Sequence, residues 1–193
     1  MDDKFKALKD DIESSAKKTE ILPAVDDIKS EIFQRYRINP ESLLGIVLGN
    51  TGGIIIDDWI RIYGSGELNF IARNALVPFD ELVVAEDILG GLFILSETGN
   101  LRYFAPDCLE VEEMEFGYSQ FLYWCSHGDT DTFYMDYRWD NWQTDTASLK
   151  HDEGIAFYPF LWANADGLES RTRKITPIKE IIGVEFEFLR QND

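Results

Sequence analysis

The sequence predicts an α+β fold: a central, mostly antiparallel sheet with N-terminal and C-terminal helices packed on it. Three observations carry that prediction. Apolar residues recur at spacings of three and four near the start, glycine-bounded β-branched and aromatic runs fill the middle, and helical spacing returns towards the end. A chain of 193 residues can bury a core unaided, so we expect a single domain over 1–193, with N-terminal helices (1–40) and an α+β body (41–193).

In chain order, Phe5, Leu8, Ile12 and Ala16 form one apolar stripe and Val25, Ile28, Ile32 and Tyr36 a second. Pro23 separates them, and Asn39-Pro40-Glu41-Ser42 reads as the turn that follows. Residues 43–48 predict a short helix, closed by Gly49-Asn50 as a left-handed cap. Ile54-Ile55-Ile56 and residues 59–63, set between Gly52-Gly53 and Gly64-Ser65-Gly66, predict two strands of a hairpin or meander. Residues 90–95 and 101–104 predict another hairpin around the turn-rich Ser96-Glu97-Thr98-Gly99-Asn100. Helical spacing over 118–125 sets Phe121, Trp124 and Cys125 on one face. The apolar run 157–162 reads as strand or irregular core. Over 178–190 two templates compete: Pro177 opens a helix, while Val184-Glu185-Phe186-Glu187-Phe188 alternates like a strand, and helix is preferred.

The 18 basic and 36 acidic residues give a net charge of −18, which repels phosphate backbones and anionic lipid and so argues against nucleic-acid and membrane-surface partners. No apolar run approaches the ~18 residues a membrane span needs. The opening Met1-Asp2-Asp3-Lys4-Phe5-Lys6 lacks the apolar core of a signal peptide, and Cys108 and Cys125 are the only cysteines; we expect a cytoplasmic protein. The charge is uneven: residues 1–40 carry a net −1, residues 41–193 a net −17, and 74–137 hold 13 acids against the single base Arg102. Such a segment reads either as a solubilising surface or as a docking face for a cationic protein, with the carboxylates raising the association rate.

No catalytic set, metal site or cofactor is assigned. His127 and His151 are the only imidazoles. Cys125 lies two residues from His127, a spacing that points side chains apart on a helix. His127-Gly128-Asp129-Thr130-Asp131 lacks the ligand pattern of a calcium loop or zinc site, and Asp129 or Asp131 reads as a helix cap. The glycine stretches lack the lysine of a phosphate loop. Trp59, Trp124, Trp139, Trp142 and Trp162 read as core or rim, with Arg138 forming a cation–π cluster beside Trp139 and Trp142, or with Arg61 or Arg138 in buried pairing with a carboxylate. An alternative is a ligand-binding or enzymatic pocket walled by Trp59, Trp139 and Trp162, with Asp87 and Arg138 as its polar groups.

A series of motifs spans the chain from about Leu22. It comprises Gly52-Gly53, Trp59-Ile60-Arg61-Ile62-Tyr63-Gly64-Ser65-Gly66, Asp87-Ile88-Leu89-Gly90-Gly91-Leu92-Phe93 and Tyr103-Phe104-Ala105-Pro106-Asp107. It continues through Gly117-Tyr118, Phe121-Leu122, Phe133-Tyr134, Arg138-Trp139, Trp142 and Tyr158-Pro159-Phe160-Leu161-Trp162 to Ser170-Arg171. In this order they resemble the bacterial domain-of-unknown-function family 2625. Val111 stands where that pattern has tryptophan. The Asp-x-x-Gly-Gly, Tyr-Phe and Tyr-x-x-Phe-Leu elements between Asp87 and Trp124 are also similar to the SUKH superfamily, whose members often serve as immunity proteins against secreted toxins. That similarity implies helices against one central sheet and a role in binding.

The leading expectation is therefore a non-enzymatic protein-binding module, with an immunity-type role as its finer form. Its candidate acidic face comprises Asp107, Glu110, Glu112, Glu113 and Glu115, with Phe116 or Tyr118 as exposed aromatic anchors for a basic protein partner such as a toxin. The Trp-lined pocket and a structural subunit of a larger assembly are the alternatives.

Overall fold

A computed structural model describes residues 3–192. Met1 and Asp2, which open the hexapeptide read against a leader, and Asp193 lie outside the described residues.

The chain begins with α1 (Asp3–Glu13), a short strand β1 (Thr19–Leu22), α2 (Asp26–Tyr36) and α3 (Leu43–Asn50). The two apolar stripes bury Phe5 and Ile12 on α1 and Ile32 on α2; Ala16 falls beyond the end of α1. Ser42 caps α3 by accepting from the Gly45 N–H at 3.1 Å. Gly49-Asn50 is a correction: the helix runs through both, and Thr51, in extended conformation, closes it by donating its N–H to Val47 O.

Next come β2 (Gly53–Ile56), β3 (Ile60–Tyr63), α4 (Phe70–Asn74), β4 (Leu82–Asp87), β5 (Leu92–Leu95), β6 (Asn100–Ala105) and β7 (Glu110–Gly117). With β1 they form a seven-stranded sheet in the order β1-β2-β3-β4-β5-β6-β7, each neighbour pair antiparallel. The β2–β3 connection places Asp57 and Asp58 at φ 54° and 53°, a region that short polar side chains tolerate. Sequence reading placed the β2–β3 and β5–β6 hairpins but not β1, β4 or β7.

Strand alternation gives the sheet two faces. Register aligns Ile54, Ile62, Ala85, Phe93 and Tyr103 across the first, and Ile55, Arg61, Glu86, Leu92 and Phe104 across the second. On the first face α5 (Tyr118–His127) sets Phe121 against Phe93, ring centres 4.7 Å apart, and α3 lies against α1, α2 and α5. Phe121 and Cys125 are fully buried on α5 and Trp124 partly so, the shared face the spacing predicts. The α5 start is fixed by the Gln120 side chain, which accepts from the Gly117 N–H.

Beyond α5 lie two short helices, α6 (Thr130–Phe133) and α7 (Trp142–Thr146); Asp129 caps α6 through the Thr132 N–H at 2.9 Å. The hairpin of β8 (Glu153–Tyr158) and β9 (Thr172–Pro177) follows, then α8 (Ile178–Asn192). Residues 157–162 thus begin in β8 and continue as irregular chain, and 178–190 is helix. The alternation in 184–188 reflects Glu185 and Phe186 turning inward together, which a helix permits and a strand does not. Phe186 stacks on Phe104 of the second sheet face at 5.1 Å, a pairing worth about 0.5–1.5 kcal/mol beyond its burial.

Candidate functional site

The acids of 110–115 lie on β7, which pairs only with β6 and so forms one edge of the sheet. Its burial pattern shows why they cluster: Met114 alone is buried, and Glu110, Val111, Glu112, Glu113 and Glu115 are exposed. They alternate between the faces, Glu112 in register with Tyr103 and Glu113 with Arg102. An edge strand leaves a row of main-chain N–H and C=O groups unpaired, which here runs through a fringe of carboxylates. Arg102, the one base of this segment, is held by Glu81.

Two of the seven candidate residues sit differently from expectation, and one sits between. Tyr118 is a correction: it is 8% exposed at the start of α5, beside Phe121, and is no surface anchor. Burial pushes its phenol upward. Asp107 is half-buried next to the Tyr137 hydroxyl and stands back from the row. Phe116 is half-buried against Trp124, ring centres 6.0 Å apart.

Beside β7 an apolar groove of about 540 Å³ opens between the 75–79 segment, β6–β7 and α8. Leu76, Phe79, Leu109, Val111 and Phe186 line it, with Arg190 at one side. Val111 and Leu76 are exposed.

The Trp-lined pocket does not form as expected. Trp59 and Trp139 do meet, at 5.8 Å, but both are buried and packed with Tyr134, Trp142 and Phe157, leaving a filled core. Arg138 lies over the Trp142 ring at 4.2 Å and the Trp59 ring at 5.1 Å and pairs with Asp131; Trp142 is the partner the spacing suggested, whereas over Trp139, the other, lies Arg173 at 5.2 Å. Trp162 is elsewhere, stacked on Phe160 at 4.5 Å and touching Phe188 of α8.

Asp87 is also committed internally. Its Oδ1 accepts from the Leu89 and Gly91 N–H groups at 2.9 and 3.0 Å, and its Oδ2 from the Tyr103 and Tyr134 hydroxyls at 2.6 and 3.2 Å. This explains the Asp-x-x-Gly-Gly motif: Asp87 ties the β4–β5 turn, Gly90 adopts φ +100°, and a side chain at Gly91 would collide with both Asp87 and Tyr103. Burial raises the Asp87 carboxyl pKa against these hydrogen bonds.

Sequence reading offered Arg61 for buried pairing with a carboxylate but missed Glu86 as its partner and the network around it on the second sheet face. Glu86, fully buried, pairs with Arg73 at 3.1 Å and accepts from the Tyr63 hydroxyl at 2.9 Å, with Arg61 at 3.9 Å. Arg61 donates to the Lys150 carbonyl, and Arg73 spends a second N–H on that of His151, which fastens the approach to β8 onto the sheet. Burial raises the Glu86 carboxyl and lowers Arg61. The reading also missed Glu185, which is buried on α8.

Among the described residues there is no group of three His, Cys, Asp or Glu placed to hold a metal, and no helix long and apolar enough to cross a membrane. Cys125 is buried, and burial pushes its thiol well up; Cys108 is exposed, and both are free thiols.

The comparisons with known proteins agree with the motif series. A family model described as "Protein of unknown function DUF2625" matches residues 1–181. The chain is 34% identical to the "Putative uncharacterized protein YbfG" of Escherichia coli K12 over 183 residues, covering 88% of this chain and 84% of that one. It is 33% identical over 138 residues to an "Uncharacterized protein" of Haemophilus influenzae, covering 62% of this chain and 60% of that one. No solved structure matches.

Proposed function

The chain belongs to the DUF2625 family, and for this member we propose a binding role: it docks a basic partner protein along the β7 edge. The observation that carries the reading is the coincidence, on one strand, of an open hydrogen-bonding edge, four exposed glutamates and an adjoining apolar groove. Each supplies a different part of an interface. The carboxylates steer a cationic partner and set the rate of encounter; the groove receives an apolar side chain and sets how long the partner stays. The edge itself offers main-chain pairing to an incoming strand.

The finer reading is an immunity-type protein that masks a basic toxin. It is supported by the likeness of Asp87 to Trp124 to the SUKH superfamily and by the same charge asymmetry. The filled Trp59–Trp139 cluster and the internal engagement of Asp87 weigh against the Trp-lined pocket.

The test is capture from a host lysate with stepped salt elution, comparing the wild type with a Glu112→Lys/Glu113→Lys variant and with Val111→Asp. A basic protein retained by the wild type, released by moderate salt and lost from both variants supports the reading. With the captured protein purified, the charge-reversed variant associates about tenfold more slowly at low salt and loses its salt dependence. Retention indifferent to all three changes overturns it.

A further inference from the structure

A second cavity, of about 160 Å³, lies between β8, the chain that follows it, and α8. Its walls are largely carbon, from Leu89, Ile155, Phe157, Leu161, Trp162 and Ile181, with Thr176 and two glutamates as the polar members. It opens past Phe160 and Val184, which are 39% and 37% exposed. One buried ionisable group lines it. Glu185 is 1% exposed, and neither carboxyl oxygen has a hydrogen-bond partner among the described residues.

That carboxyl sits against Gly90, where a side chain would collide with it. The donors nearest in the chain are already engaged, since the Leu89 and Gly91 N–H groups both serve Asp87. A buried polar group is ordinarily hydrogen-bonded, and an orphaned carboxyl on a residue lining an apolar cavity calls for a donor from outside. The charge of the lining narrows what that donor can be. Glu180, at the exposed side, is the other charged residue there, and no Lys, Arg or His lines the cavity. An anion meets no basic group there and is repelled by Glu180. A metal ion needs several converging ligands, and among the described residues no group of three acidic, thiol or imidazole side chains is placed to hold one. A neutral apolar molecule fills the space and leaves Glu185 unpaired.

We propose that this cavity binds a small organic cation, an amine on an apolar body about the size of one aromatic ring, whose ammonium group pairs with Glu185. Cavities near this volume hold a single ring, and the Trp162–Phe160 stack offers an aromatic wall for both the ring and the charge. On binding, the ammonium takes the place of the carboxyl proton, which leaves to solvent, and donates to the two carboxylate oxygens, a charge-assisted bond made in an apolar setting. The site is separate from the β7 edge, and its failure leaves the docking reading untouched.

The experiment titrates the full chain with 2-phenylethylamine and with its neutral isostere 2-phenylethanol, by calorimetry and by backbone amide NMR. The amine is expected to bind at least about tenfold tighter than the alcohol, with shifts centred on Gly90, Trp162 and Val184. Glu185→Gln, which keeps shape and removes charge, abolishes that preference by weakening the amine about tenfold while leaving the alcohol within about twofold. Trp162→Ala, at the half-buried wall, weakens both ligands and keeps the test open if the Glu185 variant fails to fold. No binding by the amine, equal affinity for the two ligands, amine affinity unchanged in either variant, or shifts centred on β7 overturns the proposal.

Discussion

The Tyr103 hydroxyl donates to Asp87 Oδ2 at 2.6 Å, joining β6 to the end of β4 across the intervening strand β5. Tyr134 donates to the same oxygen from beyond α5, so one carboxylate gathers the sheet centre and the first-face helices. Asp87→Ala strands two hydroxyls and two main-chain N–H groups and is expected to cost about 3–5 kcal/mol in urea unfolding. Tyr103→Phe removes one donor and leaves the others in place; its expected cost is about 1–2 kcal/mol. Equal costs for the two would mean that Asp87 does not organise the turn.

Arg73 and Glu86 make the second test. Arg73→Ala leaves Glu86 buried with Arg61 at 3.9 Å as its remaining cation, and the expected loss is about 3–5 kcal/mol. Because Arg73 also holds the His151 carbonyl at 2.7 Å, amide exchange should accelerate over 150–155 more than over β5 and β6. Uniform acceleration would show that the network stabilises the fold without fastening that segment.

Glu185 predicts how stability depends on pH. Burial holds its carboxyl well above the usual 4.5, with Asp87 adding to the effect. The folded chain therefore keeps a proton that the unfolded chain releases, so this contribution is complete below the ordinary carboxylate range and is lost as pH rises through the folded value. Glu86 and Asp87, also raised by burial, act in the same direction. Glu185→Gln does not titrate, so its stability relative to the wild type should grow with pH above about 5, by up to ~1.4 kcal/mol per pH unit. Urea midpoints from pH 5 to 8 measure this, and a constant gap would refute it.

What the sequence discloses follows from where one face is buried and the other wet. The stripes Phe5 to Ile12 and Ile28 to Ile32 meet that condition, while β2 and β3, buried on both faces, are legible instead as isoleucine runs bounded by glycine. β7 fails it, because an edge strand with Met114 alone buried has no alternation to read. β4 ends in two buried acids, Glu86 and Asp87, which look like solvent-facing residues until Arg73, Tyr63 and Tyr103 are placed around them. The candidate acids were visible as composition, but Tyr118 and Phe116 belong to the α5 packing that begins where the strand stops. Glu185 was hidden for a similar reason: between Val184 and Phe186 it looks like the polar member of an amphipathic pair, and only the approach of Gly90 shows that it is enclosed.

The meander, in which each strand lies beside its neighbour in the chain, has a temporal consequence. As the polypeptide leaves the ribosome, each strand can settle onto one already made, and the first-face helices can join before synthesis ends. The amine cavity waits for α8, since Ile181, Val184 and Glu185 follow every strand of the sheet in the chain. A nascent chain would thus acquire its sheet before it acquires its receptor for a small cation.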